Sequence, residues 1–165
     1  MEKILIISTG GTFNKVYNPK EGTLEVQSSK TALETLSKHW LCELHSLDIV
    51  GKDSLDMTQA DREEIAQTIA KHPQEKIIVI HGTDTMHLTA SYLDEANLNK
   101  QIVLTGAMVP FSIDPIEATA NLSCAYGFLL ANPPQALYIA MNGHCLPHMQ
   151  IKKAYQAGKF KMTHF

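Results

Sequence analysis

Three short polar segments hold the residue types best suited to chemistry: Ser8-Thr9-Gly10-Gly11-Thr12, His81-Gly82-Thr83-Asp84-Thr85 and Thr105-Gly106-Ala107-Met108. In the first, paired glycines let the backbone turn tightly and bring N–H groups close to a ligand, and Thr12 carries a hydroxyl just beyond them. Two readings are open for Thr12: a nucleophile with oxyanion donors nearby, or a turn residue bonded to its own backbone. Neither GxGxxG nor GK[ST] occurs in the segment, so it is not a dinucleotide fingerprint or a P-loop. In the second segment Asp84 either stabilises a helix N-terminus, where unpaired N–H groups and the positive dipole end meet a carboxylate, or binds a substrate ammonium. In the latter case Thr83 presents a hydroxyl to the reacting centre.

A hydroxyl nucleophile needs a proton acceptor, because its own pKa is far above neutral. Spacing forces no Ser-His-Asp arrangement here. A lysine can serve when neighbours and burial lower its pKa, and Lys152 and Lys153 lie just after the last expected strand, indistinguishable on chemistry alone. His144, Cys145 and His148 come nearest to a metal-ligand set, but Pro147 breaks helical register and the set is incomplete, so no metal is expected. His81 and His87 flank the second segment and either tune its field or pack. Met108, Met141 and Met149 read as core fillers. Hydroxyls, a lysine and backbone donors suffice for the chemistry, and no cofactor is implied.

The elements that would hold these segments alternate. Lys3–Ser8, Cys42–Val50, Lys76–Ile80, Gln101–Thr105 and Ala136–Met141 are apolar runs of strand length. Between them lie Ser28–Lys38, Thr58–Lys71, Asp84–Glu95 and Glu117–Leu130, spaced for helices. Ser28 or Ser29 is a cap for the first helix. Thr58 with Asp61 makes a cap pairing for the second, and His72-Pro73 ends it. Thr12–Gln27 reads as a loop or short hairpin, and Asn142–Phe165 as less regular. Strand–helix alternation predicts right-handed crossovers and one α/β domain over residues 1–165, with a doubly wound, mostly parallel sheet. Ligands in such sheets bind beyond the carboxyl ends of the strands, where all three polar segments fall.

Composition narrows the partners. The 165 residues suit one domain, with 44% hydrophobic and 19% charged residues in an ordinary globular balance. A net charge of −3 and the lack of a basic stripe with interleaved aromatics speak against nucleic acid. The apolar run Ile4–Ile7 is too short for a signal-peptide core or a membrane span, and no later run reaches membrane length. Cys42, Cys124 and Cys145 are an odd number without CxxC spacing, which predicts reduced thiols and a cytoplasmic protein. The apolar content of Glu117–Leu130 and Ala136–Met141 predicts a homo-oligomer, most simply a two-fold dimer.

The run Ile6–Phe13 resembles the first signature of bacterial-type asparaginases and glutaminases, and His81–Met86 resembles the second. Leu104–Pro110 is similar to the segment that follows it, in the same order and spacing from Lys3 to about Lys153. The resemblance implies a Rossmann-like catalytic domain without the family's smaller C-terminal domain. It also implies deamidation of asparagine or a related small amide through a threonine acyl-enzyme. Thr12 would be the nucleophile, with Thr83, Asp84 and Lys153 matching the family's second cluster, in which the lysine assists proton transfer. Lys153 is selected over Lys152 because it sits eleven residues after Asn142, as the family's lysine follows its Met-Asn pair. Tyr17 lies in the loop where family members carry a tyrosine that helps activate the nucleophile, at a shorter spacing. Gly11 falls in the substrate-binding turn. Ser54-Leu55-Asp56-Met57 resembles the family's Ser-Gln-Asp-Met loop, so Ser54 would bind the substrate α-carboxylate and Asp84 the α-ammonium. Leu55 replaces a glutamine that reaches the substrate; its side chain faces either the pocket or the core. The alternatives to an amidohydrolase are a non-catalytic amino-acid or dicarboxylate binding module and an asparaginase-like subunit of an amidotransferase.

Overall fold

A computed structural model describes residues 4–163; Lys3, the expected start of the first strand, lies outside the described residues. The strands are β1 (Leu5–Gly10), β2 (Lys15–Asn18), β3 (Thr23–Val26), β4 (His45–Lys52), β5 (Lys76–Ile80), β6 (Gln101–Thr105), β7 (Leu137–Met141), β8 (His144–Pro147), β9 (Ile151–Ala154) and β10 (Lys159–Met162). The helices are α1 (Lys30–Trp40), α2 (Gln59–Lys71), α3 (Met86–Glu95) and α4 (Pro115–Leu130). A six-stranded sheet runs in the order β4-β1-β5-β6-β7-β8. Its first five strands are parallel, and β8 turns back antiparallel on β7.

The expected doubly wound sheet is therefore present, and the five parallel strands follow the order 2-1-3-4-5 when numbered among themselves. The chain leaves β1 toward one edge to form β4, then returns past β1 to place β5 on its other side. That reversal opens a crevice between the carboxyl ends of β1 and β5, where ligands bind in such sheets. The first two polar segments emerge there.

Burial on both faces explains the unbroken apolar strands. In β5, Ile77 and Val79 point into the core shared with Ile65 and Ile69 of α2 and Ala90 and Leu93 of α3. Ile78 and Ile80 point into the opposite core, with Leu33 and Leu36 of α1 and Leu122 and Leu129 of α4. Side-chain alternation along a strand sends neighbouring residues to opposite faces, and helices cover both.

Element boundaries differ from the sequence expectation for local reasons. Ser29 is the N-cap residue of α1, but its hydroxyl donates to Asp48 at 2.7 Å and makes no cap bond; the Ser28 hydroxyl donates to Asp48 at 2.6 Å and accepts from Lys30 N at 3.1 Å, where the helix begins. The Thr58–Asp61 capping box forms as expected. α3 starts at Met86 rather than Asp84, because the Asp84 carboxylate is held elsewhere. α4 starts two residues early, with Asp114 accepting from Ile116 N at 3.0 Å and Pro115 in the first turn. The segment Thr12–Gln27 is a hairpin of β2 and β3. The tail expected to be irregular holds β8 and a second hairpin, β9–β10.

Candidate active site

Glycines bring the loops together. Gly11 has φ +76°, and a Cβ on it would run into the Gly82 backbone. A Cβ on Gly82 would in turn lie 2.5 Å from Ser54 Cβ and 2.9 Å from Ser54 N. A Cβ on Gly106 would meet the His81 carbonyl. All three polar segments, with the Ser54 turn, are thus in backbone contact at the strand ends. Only residues without a side chain permit that approach.

The Gly11 N–H donates to Lys52 O at 2.9 Å. Gly11 therefore serves close packing against Gly82, and its N–H is already engaged rather than offered to a ligand. Lys52 continues the brace with its side chain, 2.8 Å from Asp61 Oδ1. That ammonium, with the Thr58 N–H, lowers the Asp61 carboxyl to about 2. Thr12 follows in a 3-10 turn, Thr12–Asn14, half-buried, and its hydroxyl has no hydrogen-bond partner among the described residues. The reading of Thr12 as a hydroxyl bonded to its own backbone is not what forms. Thr9 does satisfy itself, donating to Ile80 O at 2.9 Å in the core.

Lys153 reaches this crevice from β9. Its Nζ donates to Thr83 Oγ1 at 2.8 Å and Asp84 Oδ1 at 2.6 Å, with its side chain 10% exposed. The Asp84 side chain is 34% exposed, and Thr83 is buried. Asp84 thus pairs with a lysine and does not cap α3, whose N-cap is Thr85. Lys152 points the other way and is exposed. Successive strand residues face opposite sides, so one of the pair had to be excluded once the hairpin formed. The hairpin is pinned by Asn142, in the left-handed turn after β7 (φ +52°), whose Oδ1 accepts from Phe160 N at 2.8 Å. Phe160 pairs with Lys153 in the ladder.

Ser54 is buried; its Oγ accepts a long bond from Thr85 N at 3.4 Å, and its carbonyl accepts from Thr85 Oγ1 at 2.7 Å. Asp53, in front of it, pairs with Lys15 at 2.6 Å. Burial would raise the Asp53 carboxyl, but the Lys15 bond and the Leu55 N–H outweigh it and bring it below its ordinary value. Leu55 is 72% exposed, so the reading in which it faces the core does not hold. Tyr17 lies on β2, 56% exposed, and no hydrogen bond joins its phenol to Thr12 or to any other described residue. Beneath the turn His81 is fully buried, and burial first, with the nearby Arg62 charge, lowers its pKa to about 4.

Several contributors lie outside the sequence motifs. Tyr155 donates its hydroxyl to Asp84 O at 2.6 Å, and its ring lies 5.4 Å from Lys153 Nζ. Its place two residues beyond Lys153 on a strand-forming run was the available signal. Glu117 accepts from Met108 N at 2.9 Å and Val109 N at 3.0 Å, and Asn121 donates to Gly106 O at 3.0 Å, which fixes the third segment from α4. Among the described residues no group of three His, Cys, Asp or Glu side chains gathers as a metal site. His148 instead lies 3.3 Å from Asp94. No described helix is long and apolar enough to cross a membrane.

Comparison with known proteins gives a consistent picture. The family model "Asparaginase, N-terminal" matches residues 3–165. The chain is 52% identical over 62 residues to the 60 kDa lysophospholipase of Mus musculus, covering 35% of this chain and 11% of that protein. It is 35% identical over 94 residues to L-asparaginase 1 of Escherichia coli K12, covering 54% and 25%. In structure it is similar to the thermostable L-asparaginase from Thermococcus kodakarensis, with a TM-score of 0.82 at 24% identity, over 99% of this chain and 52% of that one. The chain thus spans about half of that structure and a smaller share of the two matched proteins.

Proposed function

We propose that this chain, which belongs to the asparaginase family by the match over residues 3–165, hydrolyses the side-chain amide of asparagine or a related small amide through a Thr12 acyl-enzyme. The observation that carries the proposal is the Thr83–Lys153–Asp84 cluster, two bonds of 2.8 and 2.6 Å made by a lysine 70 residues away in sequence, beside the unpartnered Thr12 hydroxyl turn. A binding-only module has no use for two hydroxyls and a buried lysine arranged in this way.

In the proposed reaction the Thr12 oxygen attacks the amide carbon and gives up its proton, with the Thr83–Lys153 pair assisting the transfer. The carbon–nitrogen bond breaks, and the nitrogen leaves as ammonia after taking a proton. Water then adds to the threonyl ester, and cleavage of that ester releases the carboxylate and restores the Thr12 hydroxyl. Ser54 receives the substrate α-carboxylate and Asp84 the α-ammonium; Tyr17 enters from the resemblance alone. A cytoplasmic location belongs to the same proposal, supported by three free cysteines.

A homodimer is also proposed, but not through β7, which is buried at all five positions. Exposed Ile113, Ile116 and Leu130 on and before α4 offer its apolar contact. Light scattering that finds only monomer at micromolar concentration rejects it.

Ammonia release from a panel of small amides, measured on the wild type and Thr12→Ala, tests the mechanism. Turnover is expected in the wild type and not in Thr12→Ala, which should remain folded. Wild-type rates in Thr12→Ala reject the acyl-enzyme. Binding of aspartate without turnover of any amide favours the non-catalytic module, and turnover seen only with an added partner favours the amidotransferase subunit.

A further inference from the structure

Arg62 is the only arginine in the sequence, and it is buried on α2 without an acidic partner among the described residues. A guanidinium withdrawn from water without a carboxylate is costly, so hydrogen bonds and dipoles must compensate it. Its Nε donates to Thr89 Oγ1 at 3.1 Å, and a second nitrogen lies 3.4 Å from Met57 O. The Thr89 hydroxyl is 2.7 Å from His81 Nε2, which also touches Met57 Sδ at 3.0 Å. On the other side of the ring, His81 Nδ1 is 2.7 Å from Gly82 O.

The chemistry of each partner sets the proton positions. A carbonyl only accepts, so His81 Nδ1 carries the proton and donates to Gly82 O. The buried imidazole is neutral, which leaves Nε2 as an acceptor, and Thr89 must donate to it. The Thr89 oxygen, with its lone pairs free to accept, receives the Arg62 Nε–H. All three bonds therefore point one way, from a positive charge to the Gly82 carbonyl. Bonds in such a chain polarise one another, more strongly where water is excluded.

The chain ends at the peptide that matters most. No cis peptide bond occurs among the described residues, so the Thr83 N–H points away from the Gly82 carbonyl and out of the buried network. That N–H has no backbone partner among the described residues. The same peptide abuts Ser54 and Gly11 through Gly82.

We propose that Arg62, Thr89 and His81 are positioning residues: a buried relay that holds the Gly82–Thr83 peptide in one orientation and polarises its N–H toward the negative oxygen formed at the reacting centre. The role rests on the amide-hydrolysis reading. Its physical core, polarisation of one peptide by a buried charge, is measurable without turnover.

The test uses the full chain with Arg62→Met, Arg62→Gln, Thr89→Val and Thr89→Ser. Amide NMR, histidine ¹⁵N NMR, thermal melting and steady-state ammonia release are recorded on each. The Thr83 amide proton should move upfield in Arg62→Met and Thr89→Val and return in Thr89→Ser. Arg62→Gln keeps a donor to Thr89 without the charge, so the His81 tautomer should stay while the Thr83 resonance still moves. In the folded variants kcat should fall about tenfold with KM little changed, the pattern of an interaction made in the transition state. Arg62→Met combined with Thr89→Val should be no worse than the poorer single change.

Unchanged Thr83 resonance and kcat in folded Arg62→Gln or Thr89→Val overturn the relay, as does failure of Thr89→Ser to restore them. A purely structural role would instead lower the melting temperature in step with any loss of activity and leave the Thr83 resonance in place. If the wild type releases ammonia from no amide, the hydrolysis reading fails, while the Thr83 resonance still decides whether the relay exists.

Discussion

Acid should weaken this fold well above the pH at which carboxylates protonate, and His81 supplies the reason. Its imidazole is fully buried and its pKa lies at about 4, against 6.5 for a free histidine. Burial is the main cause; the Gly82 carbonyl acts in the opposite sense and the Arg62 charge adds to the lowering. The unfolded chain therefore binds a proton at this site through a pH range where the folded chain does not. Stability then rises with pH through the window from about 4 to 6.5 and is lost as pH falls through it. The full difference of roughly 2.5 pH units corresponds to roughly 3 kcal/mol, and about 2 kcal/mol of it disappears between pH 7 and pH 4.5. Against a total of about 5–15 kcal/mol for a domain, that loss is plain in a urea titration. Unfolding free energies at pH 7, 5.5 and 4.5 should decline in the wild type and much less in His81→Gln, whatever the variant's absolute stability. The lowered Asp48, Asp53 and Asp61 carboxyls act further down, below their ordinary value of 3.8, and leave this window to the histidine. A wild type whose unfolding free energy is flat from pH 7 to 4.5, or a His81→Gln with the same slope, refutes the reasoning.

Lys153→Met should abolish ammonia release and Lys152→Met should leave it unchanged, because only Lys153 meets Thr83 and Asp84; equal effects withdraw the assignment. Gly82→Ala would place a Cβ 2.5 Å from Ser54 Cβ, so stability should fall by about 1–3 kcal/mol, roughly 2–12 °C in melting temperature, with loss of turnover. Calorimetry giving a wild-type midpoint for it would show that the loops are not locked together. Leu55→Gln changes a side chain that is 72% exposed, and its stability should stay within about 0.5 kcal/mol of the wild type. If the position meets substrate, the new amide should improve asparagine hydrolysis, since an unpaired polar group there costs about 1–3 kcal/mol, roughly 5–150-fold. An unchanged preference among amides rejects that role.

Much of the architecture was legible from the chain itself. Unbroken branched runs such as Lys76–Ile80 can be satisfied only with both faces covered, and the turn residues that end them put the glycine segments at the strand termini. What local pattern could not supply was any contact between distant residues. The sequence places Lys152 and Lys153 side by side with identical chemistry; the β9–β10 ladder, held by the Asn142 amide on Phe160, decides which faces Thr83. Asp84 reads equally well as a helix cap until Lys153 arrives from 69 residues away to take its carboxylate. Ser28 and Ser29 read as caps and sit at the start of α1, but that both hydroxyls would also be held by Asp48 appears only once β4 is beside them. Arg62 sits on a helix with charged neighbours and gives no sign of burial, and only the packing of α2 and α3 on the sheet puts it against Thr89 and His81. Propensity and periodicity are properties of neighbours along the chain. The partners of a buried charge are set by packing between elements, which exists only once the sheet has formed.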